Sequence, residues 1–379
     1  MKLSNCRGFT LVELLVSTAL IVVLTVILVS ITNQTNNVWR YTSGKMEQFR
    51  ESRNAFDTVT TRLSQATLNT YWDYNDRKAP TSYERRSELR FISGNKSLSG
   101  GKEELLGDYG GARRVSHSVF FHAPLGFVEH ADGRKSKYNG LSNLLNVWGY
   151  YVELQDDKEL RPNFLQQVQP AIPLRTRFRL MEFMQPAEQL RTYHHTSGTA
   201  LTPNASKDYV ELDWFKKRVN EANAPVHVLS ENIIALIILP ELTKQDRENI
   251  AKTGGAMELA PNYNYDSTAD GDSAAGSGDR SNVNTRNQLP PVVQVTLVAI
   301  DEQSAGRISP SGHAELAELV KGKFKKASDY SADLSLNNEL PNGATLENKL
   351  VSMKVNYRVF TTNVPIRSAK WSRAQAPKP

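Results

Sequence analysis

The sequence contains a single cysteine, Cys6, so no disulfide can form within the chain. Whatever fold it adopts must hold together by burial and hydrogen bonding, and paired-cysteine metal or redox sites are excluded. Histidine is also sparse. His117, His122, His130, His194, His195, His227 and His313 show no HExxH and no other zinc-ligand spacing. There is no G-x-S-x-G nucleophile elbow and no phosphate-cradling glycine loop. These gaps argue against an enzyme, and no cofactor is expected. No long basic run appears either. The formal charge of +6 is mild and scattered. Groups such as Arg175, Arg177 and Arg179 alternate with other residues as the outer face of a strand would. Nucleic acid is therefore not an expected partner.

Proline, glycine and charge are missing together from one stretch, residues 9–31. Its 23 residues hold one ionisable side chain, Glu13, among Leu, Val, Ile and Ala. A helix of that length spans roughly 35 Å, enough to cross a hydrocarbon core of about 30 Å with some tilt. Lys2 and Arg7 precede it. Basic residues stay on the cytoplasmic side, so the expected topology is single-pass, N-terminus inside, with the C-terminal bulk beyond the inner membrane. A cleaved secretory signal fits poorly, because Val29-Ser30-Ile31-Thr32-Asn33 offers no good small-x-small site. Two details go beyond a plain anchor. Gly8 directly precedes the run, giving a small peptide that a protease accepts in extended form. Glu13 lies about one turn into the apolar segment, where ionisable groups are costly and functional by default.

Gly8-Phe9-Thr10-Leu11-Val12-Glu13-Leu14-Leu15 resembles the prepilin leader of type IV pilins and type II secretion pseudopilins. The resemblance implies cleavage after Gly8 by a membrane prepilin peptidase and N-methylation of Phe9. It implies assembly with other pilins or pseudopilins through the N-terminal helix. Cys6 would leave with the leader. The resemblance also implies that Glu13 pairs with the Phe9 amine of a neighbouring subunit and sets helix register. Two alternatives stand beside it: Glu13 pairs with the amine of its own chain four residues back, or rests on the positive end of its helix dipole.

Further along, Met46, Phe49, Phe56, Val59, Leu63 and Ala66 recur at helical spacing. One continuous helix is expected over roughly residues 9–66, membrane-spanning at first and packed by one face on a globular domain later. From Tyr71 the pattern turns strand-like. Strands are expected around residues 88–92, 115–121, 148–154, 177–180, 232–239, 292–300 and 351–359. The fold class is thus α+β: a long N-terminal helix on an antiparallel β-rich domain with loop insertions. The domain plan is leader 1–8, membrane half 9–31, extramembrane helix 32–70 and β-rich periplasmic domain 71–379, with a flexible insertion near 254–288.

Leu229-Ser230-Glu231-Asn232-Ile233-Ile234-Ala235-Leu236, Leu289-Pro290-Pro291-Val292-Val293-Gln294-Val295-Thr296-Leu297 and the closing stretch 360–367 resemble, in order, three strands of J-type minor pseudopilins and W-type minor pilins. Length and plan also resemble the cassette protein C family of verrucomicrobial pilin-like proteins. Within the insertion, Asp266, Asp270, Asp272 and Asp279 could offer oxygen ligands to Ca²⁺. Their spacing is not an EF-hand and the closing Glu is missing, so a surface loop without metal is the expectation. Residues 313–326 read as a short amphipathic helix with a lysine-rich solvated face.

Overall fold

The computed structural model describes residues 10–76, 78–95, 104–129, 138, 140–158, 160–166, 168, 172–190, 214–221, 224–251, 258–268, 285–337 and 345–371. Two compact units result, divided between Arg50 and Glu51. In chain order the elements begin with helix α1 (Leu11–Leu63) and strands β1 (Tyr71–Tyr74), β2 (Tyr83–Arg86), β3 (Ile92–Gly94), β4 (Arg113–Ala123) and β5 (Asn146–Gln155). Next come α2 (Asn163–Gln166), β6 (Arg177–Gln185), α3 (Lys216–Val219), β7 (Val226–Glu231), β8 (Ile233–Glu241) and α4 (Lys244–Ala251). Last are β9 (Tyr265–Asp266), β10 (Val292–Ile300), α5 (Glu302–Arg307), α6 (Pro310–Gly322), α7 (Tyr330–Leu334), α8 (Leu346–Ser352) and β11 (Tyr357–Pro365).

The first unit is α1 up to Arg50. Its stretch Leu11–Ser43 is long and apolar enough to cross a membrane. The large apolar side chains between Leu11 and Ile31 are each at least 50% exposed. Hydroxyls in this stretch turn back on the helix: Ser17 donates to the Leu14 carbonyl, Thr18 to Leu15, Thr25 to Ile21, Thr32 to Leu28 and Thr35 to Ile31. Each of these five hydroxyl donors is satisfied without water, which suits a hydrocarbon environment.

The second unit is built on antiparallel sheets. Six strands run in the order β7-β6-β5-β4-β3-β9, three in the order β11-β10-β8, and β1 pairs β2 as a separate hairpin. The larger two sheets are joined at a bulge in β4, where the register slips between Val115 and Val119 and Ser116 takes a φ of 61°. The bulge turns two side chains towards the outer edge of β8. Leu236 N–H donates to Ser116 Oγ (3.0 Å) and Ile238 N–H to His117 Nδ1 (3.1 Å). Edge groups that would otherwise stay unpaired are thereby satisfied.

Both faces of the six-stranded sheet are covered, which is why β5 is buried almost throughout. On one face Ile92, Phe120, Val147, Tyr151, Met181 and Phe183 pack with Trp214 and Phe215. The Phe120 ring lies over Gly149, where an added Cβ would fall 2.3 Å from it. Gly149→Ala is therefore expected to destabilise the second unit by about 1–3 kcal/mol through overpacking. Urea denaturation reads this as a lower midpoint, and Phe120→Leu in the same chain should restore part of it. On the other face the last turns of α1 cover the sheet. Arg62 stacks on Trp148 at 4.1 Å while pairing with Glu182. Ser52, Ala55, Phe56, Val59 and Leu63 are buried, with the Phe56 ring 5.8 Å from that of Phe360 in the three-stranded sheet. Burial lifts the Glu182 carboxyl above the usual range despite that cation.

Two buried histidines make the fold sensitive to acid. His117 accepts from Ile238 at Nδ1 and so donates from Nε2 to the Phe324 carbonyl (3.0 Å), which fixes the neutral tautomer. Burial depresses both His117 and His122 to about 4. Between about 6.5 and 4 the unfolded chain binds more protons at these sites, so stability falls as pH drops through that window. Glu182, shifted upward, works in the opposite direction on its own site. The two histidines alone should cost about 3–4 kcal/mol between pH 7 and pH 5. His313, also depressed by burial, adds to that loss and Glu182 offsets part of it; urea midpoints at each pH read the sum. A flat profile would overturn the assignment.

Several expectations need correction. The helix ends at Leu63, three residues before the buried Ala66. Of residues 88–92, pairing begins only at Ile92. Residues 351–359 are not one strand: α8 ends at Ser352, Lys354 takes a φ of 53°, and β11 starts at Tyr357. The expected insertion is partly packed structure, since Leu259, Ala260, Tyr263 and Tyr265 are buried and β9 pairs with β3. The predicted helix near 313–326 is present as α6, with Leu316 and Val320 inward. Its basic face is only partly free, because Lys321 meets Glu104 and Asp108, and Lys323 meets Asp333.

Candidate functional site

The first turn of α1 is where sequence and geometry converge. A helix start leaves backbone N–H groups without intrahelical acceptors, and in an apolar segment no water supplies them. Thr10 sits just before Leu11 and closes part of this gap. Its Oγ1 accepts the Glu13 N–H (3.2 Å), and its carbonyl accepts the Leu14 N–H (3.2 Å). Glu13 answers in the other direction: Oε2 accepts both the Thr10 N–H (2.9 Å) and the Thr10 hydroxyl (2.9 Å). This is a reciprocal capping box, Thr-x-x-Glu, with the carboxylate held over the positive end of the helix. Oε1 has no partner among the described residues, and the side chain is exposed. Glu13 therefore keeps one open acceptor at the start of an apolar segment.

Thr10 was not singled out by the sequence reading, although Thr10-Leu11-Val12-Glu13 ahead of an apolar run is the signal for such a cap. Gly8 and Phe9 lie outside the described residues.

Residues 3–29 match the family model for the prokaryotic N-terminal methylation motif. The match covers Gly8, Phe9, Thr10 and Glu13 and most of the exposed apolar helix. It supports the type IV pilin and pseudopilin family, and a motif of this kind implies processing by prepilin peptidase and assembly with other pilins in a membrane setting. The long apolar helix followed by an antiparallel β-rich domain is consistent with a pilin-like architecture. No curated protein and no solved structure matches the chain.

The calcium candidates divide. Asp266 is fully buried and ion-paired with Arg90, whose Nε donates to Oδ1 (2.9 Å) while Nη2 reaches Oδ2. Oδ1 also accepts from the Thr268 N–H (3.0 Å) and hydroxyl (2.8 Å). It is a structural carboxylate in β9, not a loop ligand, which corrects its reading as a Ca²⁺ candidate. Asp270, Asp272 and Asp279 lie outside the described residues. Among the described residues no group of three or more His, Cys, Asp or Glu side chains is arranged to hold a metal. His194, His195 and His130 also lie outside them. His117, His122 and His313 are buried among packed residues.

Proposed function

We propose that the chain is a non-enzymatic minor pilin-like subunit, cut after Gly8, N-methylated on Phe9 and added to the pseudopilus of a type II-like secretion system. The observation that carries this reading is the N-terminal methylation motif set on a helix whose large apolar side chains are exposed. Such a surface needs lipid before assembly and equivalent helices afterwards. In this reading residues 1–8 are the leader, 9–31 span the inner membrane, 32–70 continue the helix and 71–379 form the periplasmic domain. Glu13, with its free Oε1, pairs with the methylated amine of a neighbouring Phe9 as the subunit joins the filament. The ordered likeness of β8, β10 and β11 to strands of J-type minor pseudopilins favours the secretion assignment. A minor pilin of a type IV pilus shares the W-type likeness of the same strands and is the second reading.

Mass spectrometry of the N-terminal peptide, from membrane-extracted protein of the native cell, tests it. A peptide beginning with N-methyl-Phe9 is the expected result. A chain retaining residues 1–8 would leave a signal-anchored domain and remove the assembly reading.

A further inference from the structure

The hairpin β1–β2 places Trp72 opposite Arg85 and Tyr74 opposite Tyr83. Side chains alternate along a strand, so these four share one face, and Tyr71, Asp73, Glu84 and Arg86 share the other. The first face is an aromatic strip. Tyr74 and Tyr83 stack with centroids 4.8 Å apart, and the Arg85 guanidinium lies 5.2 Å over the Trp72 ring. Trp72 and Tyr83 are 55% and 56% exposed. The hairpin holds its shape from behind and at its tip. Asp73 meets Arg86 at 3.9 Å, and Asn75 Oδ1 accepts from the Thr81 and Ser82 amides at 3.0 and 3.1 Å. Exposed aromatics on an internally bonded hairpin make a preset contact surface.

The strip runs into a groove of about 250 Å³, lined by Trp72, Arg85 and Lys370 and by the polar residues Thr70, Asn287 and Ser368. No Asp or Glu lines it. Among the described residues neither Arg85 nor Lys370 makes an ion pair, and Arg85 makes no hydrogen bond through its side chain. Its guanidinium lies over the Trp72 ring and near the Tyr265 phenol, neither of which is a counter-charge at neutral pH. Burial accordingly holds the Arg85 guanidinium below its usual pKa. A half-buried cation without a counter-charge favours an anionic ligand. The groove is smaller than the roughly 300–1,000 Å³ of a whole small-molecule site, so it fits one ring of a longer chain that continues along the strip.

We propose that strip and groove bind an acidic polysaccharide, with one uronic-acid ring lying against Trp72 and its carboxylate between Arg85 and Lys370. The apolar face of a pyranose matches the part of the Trp72 ring left exposed beside Arg85, and its hydroxyls match the polar residues of the groove. Nucleic acid is a poorer fit, because tight binding asks for cations repeated along the phosphates and the strip has Arg85 at one end only.

The test is calorimetric titration of the detergent-solubilised full chain with tetragalacturonate. Saturable binding is expected, lost on methyl esterification of the probe and weakened about tenfold or more by Trp72→Ala and by Arg85→Gln. Lys370→Gln, at an exposed position, should weaken binding in the same direction with an unchanged thermal midpoint. Absence of binding overturns the proposal. So does equal affinity for oligothymidylate or polyglutamate, which would mean plain anion exchange. Undiminished binding by folded Arg85→Gln and Lys370→Gln chains would also overturn it.

Discussion

Asp266→Ala is expected to destabilise the second unit by about 3–5 kcal/mol, the cost of breaking a buried ion pair from one side. Arg90 and Asp266 are both without solvent exposure. The carboxylate also takes two hydrogen bonds from Thr268, so its loss strands a guanidinium and frees two donors together. Its position adds a second effect. Asp266 lies opposite Ile92 in the β3–β9 pairing, so the charge pair fastens a two-residue strand to the edge of the large sheet. Replacing both partners with apolar residues, Arg90→Met with Asp266→Leu, should recover much of the loss, because no lone charge remains. Urea unfolding followed by far-ultraviolet circular dichroism measures each variant. A single mutant as stable as the parent would show that the pair is hydrated.

The second large effect concerns assembly. Glu13→Ala should leave membrane insertion intact, since removing a carboxylate makes the segment more apolar, yet reduce incorporation into filaments about tenfold or more. Two causes could produce this: loss of the capping box, or loss of the charge that meets a neighbouring amine. Glu13→Gln separates them. Glutamine fills the same capping position and still accepts from Thr10, but carries no charge. Failure of Glu13→Gln alongside Glu13→Ala assigns the role to the ion pair between subunits. Incorporation by Glu13→Gln at the parental level would assign it to the cap, and Thr10→Ala should then fail as Glu13→Ala does. Crosslinking through the helix, quantified against total membrane-bound chain, gives the readout.

What could be read ahead of the structure followed from local period. The unbroken run from Phe9, the nearly all-apolar β8 and the valine-rich β10 each state their geometry within a few residues. Residues 351–359 failed for the same reason. Val351, Met353, Val355, Tyr357 and Val359 alternate, but Leu346 and Leu350 are also a helical pair. Thr345 decides between them by accepting the Asn348 N–H at 3.0 Å and capping α8, and both leucines are buried. The partner of Asp266 lies 176 positions away in sequence, beyond the reach of any spacing argument. At the N-terminus the opposite holds. Thr10 and Glu13 are three residues apart, so their mutual bonding is legible in the sequence as a Thr-x-x-Glu cap ahead of an apolar run. The hairpin strip was illegible because Trp72 and Arg85 meet only after a turn sets their register.

The inward-bonded hydroxyls of α1 carry one more implication. Ser17, Thr18, Thr25, Thr32 and Thr35 each spend their donor on the carbonyl three or four residues earlier. Between Leu14 and Val29 the helix then presents mostly hydrocarbon around its circumference, with its three hydroxyl donors turned inward. Spinning such a rod about its long axis changes its solvation very little, so its interior gives no clock angle to a neighbour. In the proposed assembly, orientation within a bundle would therefore be indexed at the tip, where Thr10 and Glu13 break the cylindrical symmetry.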